Sequence, residues 1–213
     1  MRERISAVLF DMDGVLYSYD FGNRLQLLSD ALGVSVSDIE DKIFKSGFED
    51  SHDNGDIDVE GYIAGIAERL GVPVRPGQWL AARKWAMAPE PIMIDLARRL
   101  KKTVEIALLT NNGALLYENI AELAPELPPL FGDRLFVSGV HGFNKEYVSG
   151  FTGLLAHMGW RAETTLFIDD SPRYITAADQ AGLVTHRFDG IDGLRARLTD
   201  LGLLPSPRGE GGA

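Results

Sequence analysis

Short apolar runs alternate along this chain with stretches of helical periodicity. Each run is rich in branched or aromatic side chains and is bounded by turn residues, a pattern typical of a buried strand. Such runs occupy residues 5–10, 104–109, 135–137, 166–168 and 183–185. Because strands that alternate with helices usually pair in parallel and are covered on both faces, the pattern predicts an α/β fold with a parallel sheet.

The interval between the first two predicted strands contains helical patterns and no strand pattern. A capping-box sequence from Ser37 to Glu40 predicts the start of one helix. Behind Asp58, a predicted N-cap, apolar residues follow helical spacing as far as Leu70. A third helix is predicted through residues 79–87, where prolines then stop it.

These patterns divide the chain into three parts. Residues 1–20 and 89–204 are predicted to form the α/β core, and residues 21–88 an inserted helical domain. Residues 205–213 form a Gly/Pro-rich tail that we expect to be frayed. The aromatic residues expected in the core of the insertion are Phe44, Phe48, Trp79 and Trp85.

Composition narrows the classes of function. The chain has 213 residues, of which 31 are acidic and 21 basic, and its formal net charge is −10. Such a chain repels phosphate backbones, so we expect neither nucleic acid nor an anionic membrane as a partner. An anionic substrate would need a local positive group. The absence of cysteine excludes disulfides, thiolate metal sites and cysteine nucleophiles.

No targeting segment is evident in the sequence. The apolar run at residues 5–10 is too short for a secretory signal, and no run reaches the roughly 18 apolar residues that cross a bilayer. We therefore expect a cytoplasmic protein without a membrane partner. The oligomeric state stays open.

Acidic residues follow two predicted strands at the edge where an open α/β sheet binds its ligands. Asp11 and Asp13 follow the first strand and, being two residues apart, would point the same way along extended chain. Asp169 and Asp170 follow the fourth strand. Adjacent carboxylates there need positive charge, and Mg²⁺ is the usual partner. The plainer alternatives are solvated loop aspartates and a helix cap ahead of Pro172.

Two further residues complete a polar constellation. Thr110 ends the second strand, and the backbone N–H groups that follow, beginning with Asn111, can form an anion-binding nest. Lys145 lies 24 residues before Asp169, just ahead of a predicted helix. Singly, Thr110 fits an ordinary polar loop and Lys145 a solvated surface lysine. The joint occurrence of Thr110, Lys145 and the four aspartates near the ends of predicted strands is improbable as a coincidence.

In order and spacing, these residues resemble the four motifs of the haloacid dehalogenase (HAD) superfamily in its phosphatase form. The resemblance covers residues 7 to about 188 and implies a Rossmann-like core with an inserted helical cap. Dehalogenase members lack the second aspartate of the first motif, so Asp13 favours a phosphatase. The motif residues are Asp11 and Asp13 with Gly14 and Val15, then Thr110, Lys145, Asp169 and Asp170.

The resemblance also implies a role for each catalytic residue. Asp11 would be the nucleophile that forms an aspartyl-phosphate, and Asp13 the general acid and then the general base. Thr110 and the Asn111 N–H would bind phosphoryl oxygens. Lys145 would neutralise the phosphoryl charge and orient Asp11.

The same resemblance implies a Mg²⁺ cofactor. Its ligands would be the Asp11 carboxylate, the Asp13 backbone carbonyl and Asp170, with Asp169 acting through water. Together with the lysine, the ion would supply the local positive charge that an anionic substrate needs in a chain of this net charge.

Within the insertion, Phe44-x-x-Gly-Phe-Glu49 followed by Gly-x-Ile57 resembles the branch that holds glucose-1-phosphate phosphatases and the N-terminal domain of soluble epoxide hydrolases. Phe48 and Glu49 are expected to face the substrate. His52 is expected on the surface of the cap, with contact to the substrate as the alternative.

Two positions depart from the family pattern. Glu146 follows Lys145 where the family often has proline, which predicts a looser or differently anchored loop. Tyr174 stands where many relatives carry Asn or Asp.

The sequence therefore predicts an enzyme, a Mg²⁺-dependent phosphatase of a small phosphorylated metabolite, with a sugar phosphate as one candidate. Two alternatives stay open. A phosphomutase uses the same phospho-aspartate and returns the phosphoryl group to sugar. A phospho-accepting signalling module also combines acidic residues, Thr and Lys on a parallel sheet, but its motif order differs and it has no inserted cap.

Overall fold

A computed structural model describes residues 3–205, and the predicted tail lies almost entirely outside them. Over these residues the chain forms seven strands: β1 (Ala7–Phe10), β2 (Tyr17–Tyr19), β3 (Met87–Pro89), β4 (Glu105–Thr110), β5 (Leu135–Val137), β6 (Thr165–Asp169) and β7 (Val184–Arg187). Five of them form a parallel sheet in the order β5-β4-β1-β6-β7. The predicted α/β class and its five strands are confirmed.

The helices fall into two groups. The first, which we call the cap, contains α1 (Phe21–Leu32), α2 (Val36–Ile39), a π-helical turn (Glu40–Phe44), α3 (Phe48–Asp53), α4 (Val59–Leu70) and α5 (Pro76–Trp85). The second belongs to the core: α6 (Pro91–Leu100), α7 (Ala114–Glu118), α8 (Ile120–Leu123), α9 (Leu127–Phe131), α10 (Ser138–His141), α11 (Val148–Met158), α12 (Pro172–Gln180) and α13 (Ile191–Asp200).

The central strand β1 is buried on both faces. Val8 and Phe10 pack on one side with residues of α6 and α13, and Leu9 packs on the other with α11 and α12. All three side chains are inaccessible to solvent. This burial explains why the strand reads as a continuous apolar run rather than an alternating one.

The cap has a hydrophobic core of its own, built on Leu28, Ile39, Ile43, Tyr62, Ile66 and Trp79. Asp58 caps α4 as predicted, since its carboxylate accepts from the N–H of Gly61. The start of α2 differs from the prediction because Ser35, not Ser37, accepts from the N–H of Asp38. Trp85, expected in the cap core, is 75% exposed at the end of α5.

A two-stranded ribbon joins the cap to the core. α5 ends before Met87, and β3 pairs antiparallel with β2 at the two places where the chain crosses. Two further backbone hydrogen bonds extend this pairing, from Asp20 N to Ala86 O and from Glu90 N to Leu16 O. The predicted third helix was therefore too long at its end, because these residues are held by a partner distant in sequence.

Among the described residues, no helix combines the length and the apolar character required to span a bilayer.

Candidate active site

The carboxyl ends of three neighbouring strands place the predicted motif residues together. Asp11 directly follows β1, Thr110 ends β4 and Asp169 ends β6. Lys145 reaches the same point from the loop before α11. All four residues are at most 4% exposed. A cleft of about 250 Å³ opens above them, and its wall includes Asp11, Asp13, Gly14, Tyr19, Thr110, Asn111, Lys145, Asp170 and Tyr174.

Lys145 lies between two carboxylates. Its Nζ is 2.6 Å from Asp11 Oδ1 and 2.7 Å from Asp169 Oδ2. Burial would lower the pKa of Lys145, but Asp11 and Asp169 outweigh it and raise this pKa above its ordinary value. The ammonium group therefore stays charged although it is buried.

Asp11 is the group most affected by its surroundings. Burial raises the pKa of its carboxyl well above the ordinary value, Lys145 opposes the rise and Asp169 adds to it. A cation at these oxygens would favour the ionised form and so act in the same direction as Lys145.

The acidic residues suit a hard cation. Asp11, Asp169 and Asp170 each offer a carboxylate oxygen, and these atoms lie within 4.8 Å of one another. The close approach of Asp170 requires glycine at position 14, because a Cβ there would lie 2.4 Å from Asp170 Oδ2 and the backbone φ is +78°. An all-oxygen donor set of this kind fits Mg²⁺.

Asp13 points away from this carboxylate group and toward the cap. Arg83 Nη2 lies 2.6 Å from its Oδ1 and 2.5 Å from its Oδ2, and Asn112 Nδ2 donates to Oδ2 at 3.2 Å. Neither Arg83 nor Asn112 was predicted from the sequence as a site residue. One sequence feature could have indicated Arg83. It follows Trp79 by four residues, so the two side chains lie on the same face of α5.

The loop that carries Lys145 is anchored by two asparagines. Asn111 Oδ1 accepts from the N–H of Lys145 at 3.0 Å, and Asn111 Nδ2 donates to Asn144 Oδ1 at 2.9 Å. Asn144 Oδ1 also accepts from the N–H of Glu146 at 2.7 Å. A proline at this position has no N–H, so Glu146 provides a different anchor for the loop and not a looser one.

Tyr174, the second departure from the family pattern, also contacts the lysine. Lys145 Nζ lies 4.6 Å from the centre of the Tyr174 ring, within the range of a cation–π contact. The ring thus covers one side of the buried ammonium group.

His52 is buried between the cap and the core, so the expectation of a surface position was wrong. Its Nε2 accepts from the N–H of Leu115 at 3.2 Å. Its Nδ1 then carries the proton and donates to the carbonyl of Ile57 at 3.0 Å. Gly113 makes the contact possible, because a Cβ there would lie 2.0 Å from the imidazole ring.

The two predicted cap contacts lie in different places. Phe48 is 9% exposed and stacks on Tyr62 in the cap core, outside the cleft. Glu49 lines a small cavity beneath the cap, where it accepts from Arg24 Nη1 at 3.3 Å and from the Tyr62 hydroxyl. Contact of either residue with substrate stays a prediction.

The fold and the motif geometry define a hydrolase of the haloacid dehalogenase-like class. The profile of that family, described as haloacid dehalogenase-like hydrolase, matches residues 5–182. The chain belongs to this family and is an enzyme of it.

Individual relatives agree with this assignment. The chain is 26% identical over 191 residues to a sesquiterpene phosphatase, astK, of Aspergillus oryzae, covering 87% of this chain and 91% of that protein. A HAD-like hydrolase from Porphyromonas gingivalis has a TM-score of 0.81 at 23% identity, covering 93% of this chain and 98% of that one. A HAD family enzyme from Bacteroides thetaiotaomicron, solved with magnesium and inorganic phosphate, has a TM-score of 0.75 at 23% identity, covering 85% and 93%.

Proposed function

We propose that this enzyme is a Mg²⁺-dependent phosphatase that hydrolyses a small phosphorylated metabolite through an aspartyl-phosphate intermediate. The observation that carries the proposal is the pairing of Asp11 with Lys145 at 2.6 Å, beside two further carboxylates at the end of β6. A buried nucleophile with a fixed cation suits attack on an anionic phosphoryl group, whose charge must be offset locally.

In this proposal Asp11 attacks phosphorus and the ester oxygen leaves with a proton from Asp13. Asp13 then takes a proton from the water that hydrolyses the aspartyl-phosphate. Thr110 and the Asn111 N–H bind phosphoryl oxygens. Lys145 orients Asp11 through the contact described above and offsets the phosphoryl charge.

Asp11, Asp170 and the Asp13 carbonyl would hold Mg²⁺, with Asp169 acting through water. When bound, the ion would supply charge stabilisation to the phosphoryl group. Asp169 also accepts from Lys145 Nζ and from the N–H of Ser171, and these bonds fix its position.

We further propose that residues 1–20 and 89–204 carry out the chemistry while residues 21–88 select the substrate. A sugar phosphate is one candidate substrate. The cytoplasmic location expected from the sequence stays a prediction.

The test is hydrolysis of an aryl phosphate and a panel of phosphorylated metabolites with Mg²⁺. Asp11→Asn should abolish turnover and phosphoenzyme, because an amide is a poor nucleophile. Asp13→Asn should slow both chemical steps by about 10²- to 10⁴-fold. Near-normal turnover by Asp11→Asn would refute the mechanism. Transfer of the phosphoryl group to sugar, or a persistent phosphoprotein without turnover, would favour the mutase or the signalling alternative.

A further inference from the structure

A second polar cavity lies beneath the cap, next to the proposed general acid. It measures about 30 Å³, which is room for roughly two water molecules. Its wall includes Arg24, Trp79 and Arg83, which are 6%, 2% and 5% exposed. None of them is among the family motifs discussed above.

The wall of this cavity has hydrogen-bond donors without acceptors. Across residues 3–205, four buried side-chain nitrogens have no hydrogen-bond partner. Three of these belong to the cavity wall: Nε of Arg24, Nε of Arg83 and Nε1 of Trp79. Buried donors are normally paired, so three of them around one small space indicate an acceptor that the protein itself does not supply.

The charge of the wall favours an anionic acceptor. Arg24 and Arg83 contribute two positive charges, of which Glu49 offsets one through its contact with Arg24. Asp13 offsets the other while its carboxyl is ionised, but not when it holds the proton that the proposed general acid donates. Asp53 also lines the cavity, and burial, with Glu49 adding to the effect, raises the pKa of its carboxyl well above the ordinary value against the pull of both arginines. The wall is therefore net positive when Asp13 and Asp53 are both protonated.

The cavity adjoins the place where the leaving group departs. Arg83 and Asn112 line it and also bind the Asp13 carboxylate. Both Asp13 oxygens contact Arg83 Nη2, so a leaving-group oxygen that approaches Asp13 competes with Arg83 for them. The part of the substrate beyond that oxygen then meets the cavity.

We propose that the substrate is a phosphorylated hydroxy acid whose carboxylate occupies this cavity. This inference rests on the proposed phosphatase function. The two carboxylate oxygens accept from Arg24, Arg83 and Trp79, and their size matches the space better than the three free oxygens of a second phosphate. The substrate is short, because Arg83 and Asn112 line the cavity and also contact Asp13, which lines the phosphoryl cleft.

The first test compares substrates on the wild-type enzyme with Mg²⁺. The panel pairs ω-phosphooxy carboxylates of increasing length, beginning with phosphoglycolate, with n-alkyl phosphates of equal length, and adds a long-chain prenyl phosphate. At least one carboxylate should exceed its alkyl partner in kcat/KM by more than about tenfold, as expected for hydrogen bonds to a charged group.

Equal rates within each pair, or a preference for the prenyl phosphate, would overturn the inference and leave the phosphatase proposal intact. A cavity that held only water would give the first of these results. Failure to hydrolyse any ester, the aryl phosphate included, would instead overturn the proposed function and the inference with it.

Variants of the cavity wall provide the second test. Arg24→Gln and Trp79→Phe should each reduce the carboxylate-to-alkyl ratio of kcat/KM by about fivefold or more, mainly through KM. Arg69→Gln is the matched control, since Arg69 lies over the Phe48 ring outside the cavity and should leave the ratio unchanged. If Arg24→Gln does not fold, the carboxylate-to-alkyl ratio of kcat/KM measured for Trp79→Phe tests the inference alone. An unaltered ratio in the folded variants would overturn the inference.

Discussion

Arg83 of the cap holds Asp13 of the core, with its Nη2 2.6 and 2.5 Å from the two carboxylate oxygens. Burial would lower the pKa of Arg83, but Asp13 and Tyr19 outweigh it and raise this pKa above its ordinary value. A cap helix therefore positions the proposed general acid. We expect a movement of the cap to change the orientation of Asp13.

Arg83→Gln should lower kcat/KM on an aryl phosphate by up to about 10²-fold, because small displacements of a reacting group are costly. It should also increase amide exchange in α5 and the β2–β3 ribbon, since the cap loses its contact with Asp13. Lys84→Gln is the control on the same helix, where Lys84 contacts Glu122 at 3.0 Å as an exposed pair. Equal kinetics and exchange in both variants would show that the Arg83–Asp13 pair positions nothing.

Mg²⁺ should stabilise the wild-type protein, since three carboxylates lie together and Lys145 pairs with only two of them, Asp11 and Asp169. Ligand at 100 times its Kd adds about 2.7 kcal/mol to the free energy of unfolding. The stability of Asp170→Asn should differ from that of the wild type in two ways, one without Mg²⁺ and one with it. Burial and Asp169 raise the pKa of Asp170, so the neutral amide should be at least as stable without metal. With Mg²⁺ its increase in Tm should be much smaller.

The control for this experiment is Glu118→Gln, which changes an exposed acidic residue outside the motifs. It should show the full increase in Tm with Mg²⁺. An equal increase in Asp170→Asn would exclude Asp170 as a ligand, and full phosphatase activity after exhaustive chelation would exclude the metal.

Local sequence patterns predicted the parts of this fold that depend on local burial. The run at residues 5–10 and the aspartates after it identify a central strand and its ligand-binding end, because every side chain of β1 is buried. The β2–β3 ribbon was missed because each strand has three residues, too few to show a period.

Contacts between distant residues account for the other misses. Nothing near Asp13 indicates Arg83, which follows it by 70 positions. His52 likewise gives no local sign of its bond to Leu115, 63 positions away. Asn111 was predicted for its backbone N–H, whereas its side chain holds the Lys145 loop. Such pairs depend on how the cap and the loops meet, which one sequence does not encode in a short window.

His52 should fix the cap to the core through its acceptor nitrogen. His52→Phe preserves an aromatic ring against Tyr62 but leaves the N–H of Leu115 unpaired, at a cost of about 1–3 kcal/mol in stability. His52→Gln offers an amide oxygen and should recover part of this loss. Urea denaturation and amide exchange at Leu115 measure both effects. Unchanged protection of Leu115 in His52→Phe would show that the bond does not hold the cap.

His186 should make stability depend on pH below neutrality. It lies in β7, and its Nε2 is buried without a partner among the described residues. Burial lowers the pKa of His186 below its ordinary value, Arg197 adds to the effect and Asp189 opposes it. Between the folded and unfolded pKa values the unfolded chain binds more protons, so stability rises with pH up to about 6.5 and falls on acidification.

The wild-type protein should therefore lose more stability between pH 7.5 and pH 5.5 than His186→Phe, which has no proton to gain at this position. Urea midpoints at the two pH values measure the difference, and His157→Phe, an exposed histidine on α11, is the control. His157→Phe should retain the wild-type pH dependence. If His186→Phe retains it as well, the neutral form of His186 contributes nothing to the pH dependence, and the acid sensitivity has another source.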